Sequence, residues 1–157
     1  MSESKNIALN LPPYEFKVQR TSEGKTQIFD TLRRRWVSLT PEEWVRQRFV
    51  QWLISEKGYP AALMANEVSL CQNGISRRCD TLVGDNTGRP VAIVEYKAPS
   101  VEVTQAVFDQ IVRYNSVLRA RCLMVSNGIT HFCCLMNYEK NSYSFLQDVP
   151  TYQELIG

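Results

Sequence analysis

Apolar side chains at Val45, Phe49, Trp52 and Leu53 follow the i, i+4, i+7, i+8 spacing of one buried helix face. Thr40 stands at the N-cap, Pro41 at the first helical position and Glu43 three residues after the cap, the pattern of a capping box. Gly58-Tyr59-Pro60 stops the run, so the spacing predicts a helix from Pro41 to about Glu56. The period then shortens. Residues 64–70, 78–83 and 91–97 read as strands, joined by Asn73-Gly74 and by the turn Asp85-Asn86-Thr87-Gly88. Asn-Gly between β-prone runs is a strong hairpin signal, which predicts an antiparallel meander. Pro99-Ser100 breaks the chain, residues 103–118 read as a second helix, and residues 121–126 and 130–136 form a strand pair around Asn127-Gly128.

Ahead of the first helix, residues 1–13 read as an arm ended by Pro12-Pro13. Residues 14–18 alternate like an edge strand, and residues 27–30 and 35–37 extend a small β layer. Beyond Asn137 the pattern is ambiguous, with Tyr152-Gln153-Glu154-Leu155-Ile156 compatible with a short closing helix. The order α-β-β-β-α-β-β, with a small N-terminal β extension, predicts an α/β (α+β) fold: a mixed central sheet flanked by helices. One domain is expected over residues 14–157, with its core at about 40–137.

Composition narrows the function classes only slightly. At 157 residues the chain can bury a proper core, and 44% hydrophobic with 22% charged residues is ordinary for a globular protein. A net charge of +2 neither demands nor excludes nucleic acid. The arginines cluster, however, at Arg33-Arg34-Arg35, at Arg77-Arg78, and at Arg113, Arg119 and Arg121, and a local basic surface attracts phosphates; solvated faces are the alternative. Five cysteines without a CxxC pair, most in apolar stretches, read as small core hydrophobes and point to a reducing cytoplasm. The lone histidine, His131, weighs against a zinc site and against a Ser-His-Asp triad. No apolar stretch approaches a signal peptide's core or a transmembrane span, so no membrane role is expected.

The chemistry gathers at Asp80 and at Glu95-Tyr96-Lys97. Strand alternation puts Glu95 and Lys97 on one side and Tyr96 on the other. If Asp80 lies on the neighbouring strand of the hairpin, two carboxylates and an ammonium converge. Two acidic groups with backbone and water oxygens suit a hard cation such as Mg²⁺, with Mn²⁺ as a substitute. The lysine can position a water or stabilise charge on a phosphate under attack. A surface ion pair between Glu95 and Lys97 is the bland alternative.

With these residues in this order, the chain resembles the PD-(D/E)XK nuclease superfamily, and more closely the N-terminal domain of type I restriction enzyme R (HsdR) subunits. The resemblance is carried by Leu39-Thr40-Pro41-Glu42-Glu43-Trp44-Val45-Arg46-Gln47, by Glu95-Tyr96-Lys97-Ala98-Pro99, by Ser126-Asn127-Gly128, and by Gln110-Ile111-Val112-Arg113-Tyr114, which fits a Gln-x-x-x-Tyr signature. It covers roughly Leu11 to Asn137. It implies a restriction-endonuclease-like core, with Asp80 and Glu95 as metal ligands and Lys97 as the water-orienting or charge-stabilising group. It also implies that Gln110 and Tyr114, one turn apart, steer the lysine or the nucleic-acid backbone. On the helix they are expected to share a face with Ala106, Val107 and Leu118; a helix–sheet packing pair is the alternative.

Enzymes of this superfamily often add a helix glutamate to the metal site. Glu42, three residues before Val45, is expected to project toward the buried stripe and is preferred; Glu43 is explained by the capping box. Arg77, Arg78 and Arg113 are candidate nucleic-acid contacts. The chain has no Gly-x-x-x-x-Gly-Lys-[Ser/Thr] loop, so ATP-driven translocation does not carry over. The resemblance implies an Mg²⁺-dependent endodeoxyribonuclease acting on DNA, with a homodimer or a restriction-modification or helicase partner compatible with it. Two other readings stay open: a non-catalytic nucleic-acid-binding or assembly module that keeps the nuclease fold, and a core with an incidental acidic pair.

Overall fold

A computed structural model describes residues 8–72 and 74–157, leaving out the side chains of residues 72, 75, 77, 114, 116 and 117. Three short strands, β1 (Val18–Arg20), β2 (Thr26–Asp30) and β3 (Arg35–Ser38), form an antiparallel sheet in that order. Helix α1 (Pro41–Glu56) follows, its Thr40 hydroxyl accepting from the Glu43 N–H over 3.0 Å. Strands β4 (Met64–Gln72), β5 (Ile75–Gly84) and β6 (Pro90–Tyr96) make the antiparallel meander. Helix α2 (Gln105–Leu118), capped by Thr104, then crosses over so that β7 (Cys122–Ser126) lies parallel to β6. A parallel neighbour requires such a crossover. Strands β8 (His131–Asn137) and β9 (Ser142–Leu146) complete a mixed six-stranded sheet in sequential order, and α3 (Tyr152–Ile156) closes the chain. This is the α/β architecture expected, and the ambiguous tail supplies a sixth strand and a helix.

Two hydrophobic clusters show why the sheet holds a helix on each face. Val45, Phe49 and Leu53 of α1 pack with Val83, Ala92, Val94, Tyr96, Cys122 and Met124. Phe108 and Ile111 of α2 pack with Ile93, Leu123, Val125 and Cys134. Strand β6 therefore alternates, Ala92, Val94 and Tyr96 toward α1 and Ile93 toward α2, as a strand buried on both faces must. Cys79, Cys122, Cys133 and Cys134 are buried free thiols, as their apolar settings imply.

Three local expectations need correction. Residues 14–17 are not a strand; β1 starts at Val18. The stretch lies against α1 instead, with Phe16 edge-on to Trp44 at 5.3 Å and the Leu11 and Pro12 carbonyls accepting from Arg48. The buried side of α2 runs through Phe108, Ile111 and Asn115, while Ala106 and Gln110 are exposed and Val107 and Leu118 half-buried. The amide of Asn115 explains the shift in phase: it bonds the Ala120 backbone N–H and carbonyl and so belongs inside. Finally, the capping box is half made. Glu43 does not return to the Thr40 N–H, because its carboxylate is held by Arg33, Arg46 and Gln47.

Candidate active site

The β5–β6 ladder pairs Gly84 with Pro90, Val83 with Ala92, Leu82 with Ile93 and Thr81 with Val94, and ends there. The next step of the same register sets Asp80 opposite Glu95. There β6 loses its β5 partner but stays paired along its other edge with β7, from Ala92–Cys122 through Glu95–Val125 to Tyr96–Ser126, and the Lys97 N–H donates to the Ser126 carbonyl at 2.9 Å. The strands part, and the Asp80 side chain fills the opening: its Oδ2 accepts the Tyr96 N–H at 2.8 Å. Asp80 and Glu95 are brought together as the hairpin predicts, with Lys97 half-buried beside them.

Electrostatics mark the pair as unusual. Burial, then the Asp80 charge and a hydrogen bond with its carboxyl, push Glu95 up to about 9; the Lys97 charge pulls only partly the other way. A Glu95 carboxylate so placed is costly to ionise beside Asp80 unless a cation lies near it. An all-oxygen donor set of this kind fits a hard divalent ion, with the remaining positions left to water and backbone oxygens. Among the described residues no group of three His, Cys, Asp or Glu side chains is arranged to hold a metal, so the protein side chains at hand are this pair.

Glu42 and Glu43 divide differently from the expectation. Glu42 is exposed rather than turned into the stripe. Its carboxyl is nevertheless raised, first by partial desolvation and next by the Asp80 charge, with Lys97 opposing. Glu43 is the buried one. Burial would raise it, but hydrogen bonds from Arg46, Gln47 and Arg33 outweigh that and hold it below the usual carboxylate range.

Tyr96 points away from the carboxylates, as alternation requires, but it is wired into a polar network. Its hydroxyl donates to Thr81 at 2.9 Å, Thr81 to Asn66 at 2.6 Å, and Asn66 to Asp30 at 2.9 Å. Gln110 and Arg113 are exposed on α2, and Arg78 is exposed on β5 with Glu67 as its partner at 3.2 Å. The side chains of Arg77 and Tyr114 lie outside the described residues. His131 is structural: Nδ1 meets the Ser126 hydroxyl at 2.7 Å, Nε2 the Asn10 carbonyl at 2.9 Å, and the ring packs on Phe49 and Trp52.

The residues that sequence reasoning missed are Arg46 and Glu67. Arg46 reaches the Asp80 carbonyl at 3.1 Å and Glu67 at 2.7 Å, and Glu67 lies opposite Asp80 in the β4–β5 register with a left-handed φ of 57°. The only sequence signal was the i, i+3 spacing of Glu43 and Arg46. Glu67 gave none, since its partners are 21 and 11 residues away.

A family model described as the type I restriction enzyme R protein N terminus matches residues 41–150, most of the chain. Among solved structures, a fragment assigned as an HsdR subunit of a type I restriction enzyme from Vibrio vulnificus YJ016 is similar in fold, with a TM-score of 0.55 at 21% identity. The match covers 75% of this chain and 25% of that one, so this chain spans about a quarter of that structure's length. No curated protein matches. No described helix is long and apolar enough to cross a membrane.

Proposed function

Because the chain belongs to the type I restriction enzyme R protein N-terminal family, we propose that it is an Mg²⁺-dependent endodeoxyribonuclease, its site built on Asp80, Glu95 and Lys97. The observation that carries this reading is the half-buried Asp80–Glu95 pair where the β5–β6 ladder ends, with the Lys97 charge acting on Glu95. Asp80 and Glu95 hold the cation; Mn²⁺ has the same oxygen preference. Bound there, the ion supplies Lewis acidity toward a phosphate oxygen and a more acidic water.

The chain's own groups do the rest. Lys97 orients the attacking water or offsets charge that grows on the phosphate in the transition state. Its backbone is fixed by Ser126, and the Asp80 carboxylate by the Tyr96 amide, so neither has to be ordered when substrate arrives. Glu42, sharing the field of Asp80 and Lys97, is proposed as a further carboxylate at the metal. Gln110 and Tyr114 are proposed to steer Lys97 or the nucleic-acid backbone. Arg77, Arg78 and Arg113 are proposed phosphate contacts, which makes DNA binding salt-sensitive. A concerted double-strand cut needs two such sites, from a second copy or a restriction-modification or helicase partner.

The deciding experiment is cleavage of supercoiled plasmid with Mg²⁺ or Mn²⁺, comparing wild type with Lys97→Ala and Asp80→Ala. Nicking by wild type, lost in both variants and in EDTA, is the expected result. Salt-sensitive DNA binding that ignores Mg²⁺ and leaves the plasmid intact identifies a binding module on the same fold instead. Cleavage that survives both substitutions rules out this site.

A further inference from the structure

We propose that Arg46 is a positioning residue for the acidic pair, a guanidinium clamp that holds the Asp80 backbone where β5 and β6 part. The proposal rests on the nuclease reading of that pair. Arg46 is 7% exposed, and each of its three guanidinium nitrogens donates to a partner. Nε reaches Glu43 at 2.9 Å, Nη2 reaches Glu43 at 2.8 Å and Glu67 at 2.7 Å, and Nη1 reaches the Asp80 carbonyl at 3.1 Å. The guanidinium also lies 5.8 Å from the centre of the Tyr96 ring. One side chain thus joins α1, β4, β5 and β6 around the residue that carries the first carboxylate.

Each anchor is itself held. Glu43 accepts from Arg33 at 2.6 Å and from Gln47 at 3.0 Å, Glu67 pairs with Arg78, and Tyr96 is tied through Thr81 and Asn66 to Asp30. Glu67 is the telling anchor. It stands opposite Asp80 with φ 57°, a conformation that residues with a Cβ avoid, within a strand that is otherwise paired on both sides of it. Such strain persists where surrounding contacts over-determine it, and the contacts here are those with Arg46 at 2.7 Å and with the more exposed Arg78 at 3.2 Å. A guanidinium suits this role and an ammonium does not, because only the planar fork grips Glu43 with two parallel bonds while reaching Glu67 and the Asp80 carbonyl from its other N–H groups.

Two variants test the clamp. Arg46→Lys keeps the charge and loses the fork. Glu67→Gly removes the outer anchor at a position whose φ glycine adopts freely, so it folds even where Arg46→Lys does not. The readouts are amide exchange of Tyr96 relative to Val94 by NMR in metal-free protein, and kcat against KM for plasmid nicking with Mn²⁺. The expected result is Tyr96 exchange faster by about tenfold and kcat lower by about tenfold or more, with KM within about twofold. Folded variants with unchanged Tyr96 exchange and unchanged kcat overturn the clamp. A wild type that never nicks DNA overturns the nuclease reading instead, and the exchange of Tyr96 then decides the clamp alone: unchanged, it is refuted, and accelerated, it holds.

Discussion

Tyr96 donates its backbone N–H to the Asp80 carboxylate over 2.8 Å, so a side chain completes a ladder that the two backbones abandon after Val94. That bond acts with the hydrogen bonds between Asp80 and the Glu95 carboxyl and with the Arg46 contact to the Asp80 carbonyl to hold Asp80 beside Glu95. It also explains why the residue between the two motif positions, although buried on the opposite face, is part of how the site is held.

The state of Glu95 gives a pH-dependent prediction for stability. Its folded value of about 9 lies above its ordinary 4.5, so the folded state prefers the protonated carboxyl. That preference is fully present below about pH 4.5 and is lost as the pH rises toward 9. Glu95→Gln stays neutral throughout. The variant is expected to exceed wild type by about 1–2 kcal/mol at pH 8 and to match it near pH 4.5, measured by urea unfolding. A gain of equal size at both pH values contradicts this assignment.

Metal binding has to displace the proton from the same carboxyl. Mn²⁺ affinity measured by calorimetry is therefore expected to rise about tenfold per pH unit between pH 6.5 and 8.5, with about one proton released. Asp80→Asn should weaken binding by about a hundredfold or more. An affinity that is flat with pH shows that Glu95 is not among the ligands.

The neighbouring glutamates of α1 are expected to separate cleanly. Glu43 neutralises two largely buried guanidiniums, so Glu43→Ala should cost about 3–5 kcal/mol of stability. Glu42→Ala, on an exposed residue, should stay within about 0.5 kcal/mol of wild type while lowering Mn²⁺ affinity. Chemical denaturation and metal titration of both variants check the pair; the reversed pattern would assign the helix carboxylate to Glu43.

Gly128 and Gly88 share a left-handed backbone, at φ +86° and +83°, but differ in their surroundings. A Cβ at Gly128 meets Leu9 at 2.8 Å and Val45 at 3.1 Å, whereas at Gly88 nothing lies within 4 Å. Gly88→Ala should cost about 1 kcal/mol and Gly128→Ala about 2–3 kcal/mol, since the latter also displaces the N-terminal segment from α1. Equal thermal shifts for the two would show that Leu9 yields freely.

Much of the fold could be read locally. The cap at Thr40 and the stop at Gly58 bracket α1, and the alternation of residues 64–97 with its two turns describes the meander, because periodicity and turn chemistry depend on near neighbours alone. The Asp80–Glu95 hairpin is likewise a consequence of one turn and one register. The phase of α2, the packing of Phe16 on α1 rather than in a strand, and the burial of Glu43 rather than Glu42 were not local. Each depended on what a distant element offered: Ala120 to Asn115, Trp44 to Phe16, Arg33 and Arg46 to Glu43. The sequence by itself determined which residue types could do chemistry and on which strands they lie. Only the tertiary structure decided that Asp80 and Glu95 meet at the end of the β5–β6 ladder, that Arg46 and Glu67 lie against it, and that the Glu95 carboxyl is pushed upward, because desolvation and charge coupling exist only once the strands have met.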